Sequence, residues 1–222
     1  MKWRKRILMA IVIVCTILLL KEITQLSISS EEVTICDQSS AVKMEMEEVL
    51  IRSLSAINTL HLSSHFLCFD SLWAAHTSNK PFPWKSINEI CMQNDEISKI
   101  EEATMIRVFK REGVILSYSS SSGEYDVRLN SGSHTRLKIY LFEKDSENDQ
   151  LRRVGWKHRI LPPDSCSITQ CFPSHLVDRP LPMTKFCGIR VPIPREEIEI
   201  QKYHYPENWW KTDRTPSQCR DH

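Results

Sequence analysis

The longest uniform apolar stretch is Ile7–Leu20, ILMAIVIVCTILLL, preceded by Lys2, Arg4, Lys5 and Arg6 and closed by Lys21 and Glu22. A basic cluster ahead of such a run is a membrane-targeting signal. The run is shorter than the roughly 17–25 residues of a comfortable span, so a cleaved signal peptide and a secreted product form the competing reading. No small-residue cleavage site follows Leu20, and snorkelling of Arg6 and Lys21 accommodates a short span. The sequence therefore predicts a cytosolic segment at 1–6, a transmembrane signal-anchor at 7–20, a polar stem at 21–40 and a lumenal domain at 41–222.

Beyond the stem the pattern becomes periodic. Val42, Met46, Val49, Leu50, Leu54, Ile57 and Leu60 recur at three- and four-residue steps and predict a helix. His65–His76, HFLCFDSLWAAH, switches to a strand-like run at Phe66–Phe69 followed by a turn, and Ile87, Ile90 and Met92 mark a further strand. KIEEATMIRVFKREG predicts a second helix stopped by Gly113. The runs GVILSYSS, EYDVRLN and RLKIYLFEK, separated by SSSSGE and SGSH, predict three adjacent strands or a meander. From Leu161 the chain is dense in proline, with β-like pieces such as FCGIRVPIP; it should lie over an existing core and end in a short helix at REEIEIQ and an aromatic cluster.

Composition narrows the classes. The chain has 222 residues, 41% hydrophobic and 26% charged, enough for one sizeable core. Its 29 basic and 28 acidic residues balance to +1, which argues against a nucleic-acid footprint. With only five glycines it builds no glycine-rich phosphate cradle, and no metalloprotease or serine-nucleophile motif is present.

Seven cysteines follow the anchor (Cys36, Cys68, Cys91, Cys166, Cys171, Cys187 and Cys219), an odd set for an oxidising lumen, so at least one stays unpaired within the chain. Cys166 and Cys171 are spaced for a local disulfide, with Cys187 competing. Cys68 and Cys91 sit in apolar runs and read as buried thiols. No glycosylation sequon occurs.

Several residues carry candidate chemistry. His61 and His65 fall on one face of a helix, where such a pair can bind zinc, although no Glu follows the first His and a helix C-terminus favours His in any case. Lys138 reads as an exposed strand residue. Tyr203, Tyr205, Trp209 and Trp210 either close the core or stack on a sugar or base. Asp70, Glu89, Asp126, Glu143 and Asp145 are the acids in or near strand-like runs, from which any metal-assisted phosphoryl chemistry would be assembled.

The stretch Phe66–Met92, FLCFDSLWAAHTSNKPFPWKSINEICM, resembles the signature segment of the LicD/fukutin family, in which a strand and glycine turn lead through Pro-Trp into an acid-rich strand. RVGWKHRI, CFPSHLVDRPLPMTKFCGIRVPIP and YHYPENWW resemble its closing region, so the likeness runs from about Val42 to Lys211. The resemblance implies an α+β fold with a nucleotidyltransferase-like mixed sheet flanked by helices. It also implies transfer of a phospho-alcohol or phospho-sugar from a CDP-linked donor to a protein glycan, and the type II layout resembles animal Golgi members. In such a mechanism strand carboxylates hold Mg²⁺ or Mn²⁺ on the donor diphosphate.

Carried over residue by residue, the family's three successive acids fall on Lys85, Ser86 and Ile87, and the acid two further on falls on Glu89. The later strand acid falls on Lys138. The turn glycines become Asp70 and Ala74, and the turn Arg becomes Thr77. The expected site is therefore Glu89 and Asp70 as residual catalytic acids, Glu89 as the remaining metal ligand, and Trp84, Ser71, Trp209 and Trp210 as substrate-binding residues. The leading expectation is a catalytically degenerate Golgi or endoplasmic-reticulum protein that binds a ligand or partners an active transferase. Competing expectations are a metal-dependent transferase rebuilt from Asp70, Glu89 and Asp126, and a purely structural lumenal domain.

Overall fold

A computed structural model describes residues 35–130, 132–159 and 171–219, together with Met9 and Thr16. The chain divides into two units, Met1–Thr34 and Ile35–His222. In the first unit only Met9 and Thr16 are described; each is helical and exposed. The anchor expected at 7–20 thus lies almost wholly outside the described residues, among which no helix is long and apolar enough to cross a membrane.

The second unit opens with helix α1 (Ser40–Thr59), where the Ser39 hydroxyl accepts from the Val42 amide as an N-cap. Its buried stripe Met46, Val49, Leu50, Leu54 and Ile57 is the one the periodicity predicts. There follow β1 (His65–Leu67), α2 (Phe69–Thr77), β2 (Ile87–Gln93), the short α3 (Asn94–Ile97) and α4 (Glu102–Arg111). The expected meander forms as β3 (Ile115–Ser119), β4 (Glu124–Arg128) and β5 (Arg136–Asp145), antiparallel in sequence. Next come β6 (Gln150–Arg153), α5 (Trp156–Arg159), β7 (Phe172–Pro173), the hairpin β8 (Met183–Phe186) with β9 (Ile189–Pro192), and α6 (Glu197–His204).

The main sheet runs β1-β2-β5-β4-β3, with β6 paired along the far half of β5 and β7 paired in turn with β6. Strands β2 and β5 are parallel, and the other pairings are antiparallel, so the sheet is mixed and the α+β expectation holds.

Strand alternation divides the sheet into two faces. Asn88, Ile90 and Met92, Leu137, Ile139 and Leu141, and Tyr125 and Val127 share one face by register. These residues are buried, and Asn88 Nδ2 donates to the Met46 carbonyl of α1 at 3.0 Å, so α1 covers this face. The opposite face carries Glu89, Lys138, Tyr140, Glu124 and Asp126. The proline-rich tail adds Phe172, Leu176, Val177, Phe186, Val191, Ile193 and Ile200 to the same core rather than building a second one, as expected.

Three local expectations are corrected. Residues after Phe69 form the helix α2, not a turn: Phe69, Ser71, Leu72, Trp73, Ala74 and Ala75 are all buried, so the sequence shows no polar face to mark a helical period. Cys68 and Cys91 are not thiols but a disulfide, with Cα atoms 5.7 Å apart, joining the N-cap of α2 to the interior of β2. His61 and His65 do not share a helix face, since α1 has ended, His61 has φ 55° and His65 lies in β1 with Nδ1 3.1 Å from the Leu62 carbonyl.

A second disulfide, Cys36–Cys219, joins the two ends of the unit. Cys171 is also disulfide-bonded, Cys166 lies outside the described residues, and Cys187 is a buried free thiol. The segment near Cys36 also touches the turn before β2, through Gln38 N donating to the Pro83 carbonyl at 2.7 Å.

Candidate active site on the polar face of the sheet

Glu89 sits in the middle of β2, aligned in register with Lys138 of β5, which in turn faces Asp126 of β4. The expectation that the family's later strand acid falls on Lys138 therefore places a lysine directly beside Glu89. Asp70 lies in the first turn of α2. Glu89 meets the start of α2 because the Asp70 amide donates to Glu89 Oε2 at 2.9 Å, while Ser71 Oγ accepts from the Glu89 amide at 2.8 Å.

The backbone entering this corner is unusual. Phe69 has φ 49°, in the left-handed region that a bulky side chain rarely adopts. Two groups of α6 hold its peptide. The Phe69 amide donates to His204 Nδ1 at 3.4 Å, and Gln201 Nε2 donates to the Phe69 carbonyl at 3.2 Å. His204 also stacks on the Phe69 ring, with centroids 4.2 Å apart, and burial drives its pKa down to about 3, so the ring stays neutral. Backbone strain that the surroundings over-determine is a common feature of functional corners.

All four oxygens of the carboxylate pair are engaged. Asp70 Oδ1 accepts from the Tyr205 hydroxyl at 2.6 Å, and Asp70 Oδ2 pairs with Lys85 Nζ at 2.6 Å. Glu89 Oε1 accepts from the Tyr140 hydroxyl at 3.2 Å, and Oε2 is taken by the Asp70 amide. Burial, and next the charge of Asp70, push the Glu89 carboxyl up to about 7 from its ordinary 4.5, against the opposing pull of Lys85 and the two hydrogen bonds. The pair thus carries less than two negative charges near neutral pH, and one of them is matched by Lys85.

Behind the pair lies a cationic network. Arg153, 5% exposed, donates from Nη2 to Glu124 Oε2 at 3.0 Å and to the Ser122 carbonyl at 3.3 Å, and its guanidinium lies 4.0 Å from the centroid of the Tyr140 ring. Lys138 Nζ takes the other Glu124 oxygen at 3.0 Å. The loops that place Arg153 approach closely. Gly123, at φ 61°, lies against residue 154 so tightly that a Cβ would fall 2.0 Å from the Val154 carbonyl oxygen, so only glycine fits.

The other expected residues divide. Asp126 is held by Arg128 at 2.6 Å and Arg136 at 3.5 Å, Glu143 by Arg152 at 3.0 Å, and Asp145 accepts from its own turn, the Glu147 amide and the Asn148 side chain. Ser71 is buried and orients Glu89 instead of facing outward. Trp84, beside Lys85, stacks in parallel on Phe82 with centroids 4.9 Å apart. Trp209 and Trp210 meet edge to face, Lys202 Nζ lies 5.0 Å from the Trp209 ring, and Trp210 is exposed. Tyr203 and Tyr205 instead pack on the core.

Sequence reasoning missed Tyr140, Tyr205, Arg153 and Arg214 as parts of this corner. Arg214 lies 4.2 Å from the Tyr205 ring and 4.9 Å from the Trp73 ring, so the segment ending at Cys219 covers the Asp70 side of the site.

The Mg²⁺ or Mn²⁺ that the resemblance implies does not fit this donor set. A hard cation needs a donor set with unmatched negative charge, and here the Lys85 ammonium already holds Asp70 Oδ2 while burial favours the protonated form of Glu89. Among the described residues no three His, Cys, Asp or Glu side chains stand together as ligands.

The raised Glu89 carboxyl makes a testable statement about stability. Its folded-state pKa lies above the ordinary value, so the folded protein holds this proton more tightly than the unfolded chain. The resulting stabilisation is full below 4.5 and is lost as pH rises through about 7. Glu89→Gln keeps an acceptor for the Asp70 amide and cannot ionise. It should raise unfolding free energy at pH 8 by about 1–2 kcal/mol and leave it nearly unchanged at pH 5, as read by urea melts at the two pH values. Equal effects at both would mean that the Glu89 charge is not destabilising.

The sheet order, the Pro-Trp turn leading into β2 and the Asp70–Glu89 corner form one contiguous arrangement, and a family-level comparison agrees with it. No curated protein matches the chain. The family described as LicD/FKTN/FKRP, nucleotidyltransferase domain, matches residues 63–196, more than half of the sequence and the whole of this corner except the α6 and C-terminal cover, and the chain belongs to that family.

Proposed function

We propose that this protein is a catalytically degenerate member of a phosphotransferase-like family, acting in glycan modification by binding a glycan or CDP-linked ligand or by partnering an active transferase. The observation that carries the reading is the Lys85 ammonium bound to Asp70 in the Asp70–Glu89 corner, which puts a fixed cation where metal-dependent transfer requires the ion. A Golgi or endoplasmic-reticulum lumen is supported by the Ile7–Leu20 run behind its basic cluster, and by the disulfides Cys36–Cys219 and Cys68–Cys91, which persist in oxidising compartments.

A second reading, retained transfer, is favoured by one feature. Glu89, with its pKa near 7, has the proton affinity of a general acid–base carboxyl. The two are separated by thermal-shift titration of the full chain with CDP, CDP-ribitol and CDP-choline, each with and without Mn²⁺. Degeneracy expects no metal-dependent stabilisation and no transfer. Stabilisation that needs the metal, followed by product formation, would establish the second reading.

A further inference from the structure

We propose that Lys85 is a built-in cation occupying the place of a divalent ion, and that its ammonium keeps closed a latent divalent-cation site formed by Asp70 and Glu89. The proposal rests on the reading that metal-dependent transfer has been lost, and it names the residue responsible.

Three observations converge on Lys85. It stands directly after Trp84, where the turn delivers the chain into β2, and the Lys85 amide donates to the Phe82 carbonyl at 3.0 Å, which closes that turn. Its Nζ lies 2.6 Å from Asp70 Oδ2, the distance of a charge-assisted contact. The Glu89 carboxylate lies against the start of α2, where the Asp70 amide donates to Glu89 Oε2 at 2.9 Å, and it is close enough for the Asp70 charge to raise its proton affinity.

What has changed is the occupant. An ammonium is a compact point charge, and a divalent ion entering the same carboxylates would meet it at contact distance. The neighbouring partners differ in kind: Tyr205 and Tyr140 are neutral hydroxyls, which can remain hydrogen-bonded to a metal-bound carboxylate without charge repulsion. Lys85 is thus the group whose removal takes a positive charge off the carboxylate pair. Lys138 does not do the same, because its ammonium is paired with Glu124.

The test measures Mn²⁺ binding directly, by the loss of the free-ion electron paramagnetic resonance signal, on the purified full chain and on Lys85→Asp and Lys85→Gln. The native chain should show half-saturation above about 1 mM, and Lys85→Asp should bind at least about tenfold more tightly, because it exchanges a repelling charge for a third carboxylate. Lys85→Gln should fall between them. The gain must disappear in Asp70→Asn combined with Lys85→Asp; a gain that persists there lies elsewhere on the molecule and overturns the proposal.

Micromolar Mn²⁺ binding by the native chain overturns both this inference and the degenerate reading. A folded Lys85→Asp with a native near-ultraviolet circular dichroism spectrum and no gain overturns this inference alone. If Lys85→Asp does not fold, Lys85→Gln decides: tighter binding supports the proposal, and unchanged binding sinks it.

Discussion

Changing Cys68 and Cys91 together to alanine should lower the unfolding free energy by about 3 kcal/mol, the loop-closure value expected for a bridge across 23 residues. For a unit of this size that corresponds to a fall in melting temperature of roughly 6–12 °C. The bridge is fully buried and joins the residue before Phe69 to the strand that carries Glu89. Its loss should therefore loosen the corner as well as the fold, and hydrogen exchange at the Asp70 amide should rise more than at strand β4. The Cys36–Cys219 bridge spans 183 residues and has a larger nominal loop term, but it joins the ends of the unit. Cutting it lets the terminal segments fray before the core opens, so its measured effect on global unfolding should be the smaller of the two. Equal losses from the two double substitutions, with no change in exchange at Asp70, would defeat this account.

The cysteines also show where sequence reasoning stops. Both residues sit in apolar runs, and burial alone does not distinguish a thiol from half of a disulfide. The register that places Phe66 opposite Cys91, and so Cys68 within reach, arises from the pairing of β1 with β2. The same limit applies to α2, whose nearly all-buried sequence erases the helical period, whereas α1 and α4 each keep an exposed face and were readable. The meander β3-β4-β5 was readable because glycine- and serine-rich turns separate its strands. The parallel pairing of β2 with β5 was not, since no local signal spans the intervening α3, α4, β3 and β4.

The site followed the same division. Glu89, Lys85 and Asp70 came from a linear motif and stand together as expected. Tyr140 reaches Glu89 because β5 lies beside β2, and Tyr205 reaches Asp70 because α6 docks from 135 residues away in the chain. Neither contact has a spacing that a sequence could display. The motif alone would report lost acids and an intruding lysine. The structure adds that the lysine is bound to one of the remaining carboxylates, which turns a site missing ligands into a closed one.

Arg153→Ala should be the most damaging single substitution on this face, with a loss of about 3–5 kcal/mol. The guanidinium is almost wholly buried, bonds Glu124 and the Ser122 carbonyl, and stacks on Tyr140, so truncation removes the partner of a carboxylate that is itself only 15% exposed. Lys138 would then be the remaining listener to that charge, and Tyr140 would lose the plane that holds its hydroxyl on Glu89. Arg153→Met separates the causes, because it preserves the stem and the packing but not the charge. If charge dominates, Met should be nearly as harmful as Ala, and adding Glu124→Gln to Arg153→Met should recover about 1–2 kcal/mol by discharging a carboxylate left with Lys138 alone. If packing dominates, Met alone should restore most of the stability and Glu124→Gln should add nothing. Denaturant unfolding of the three variants at pH 7 decides between these outcomes, and a loss below about 1 kcal/mol for Arg153→Ala would show that the network is not held by this residue at all.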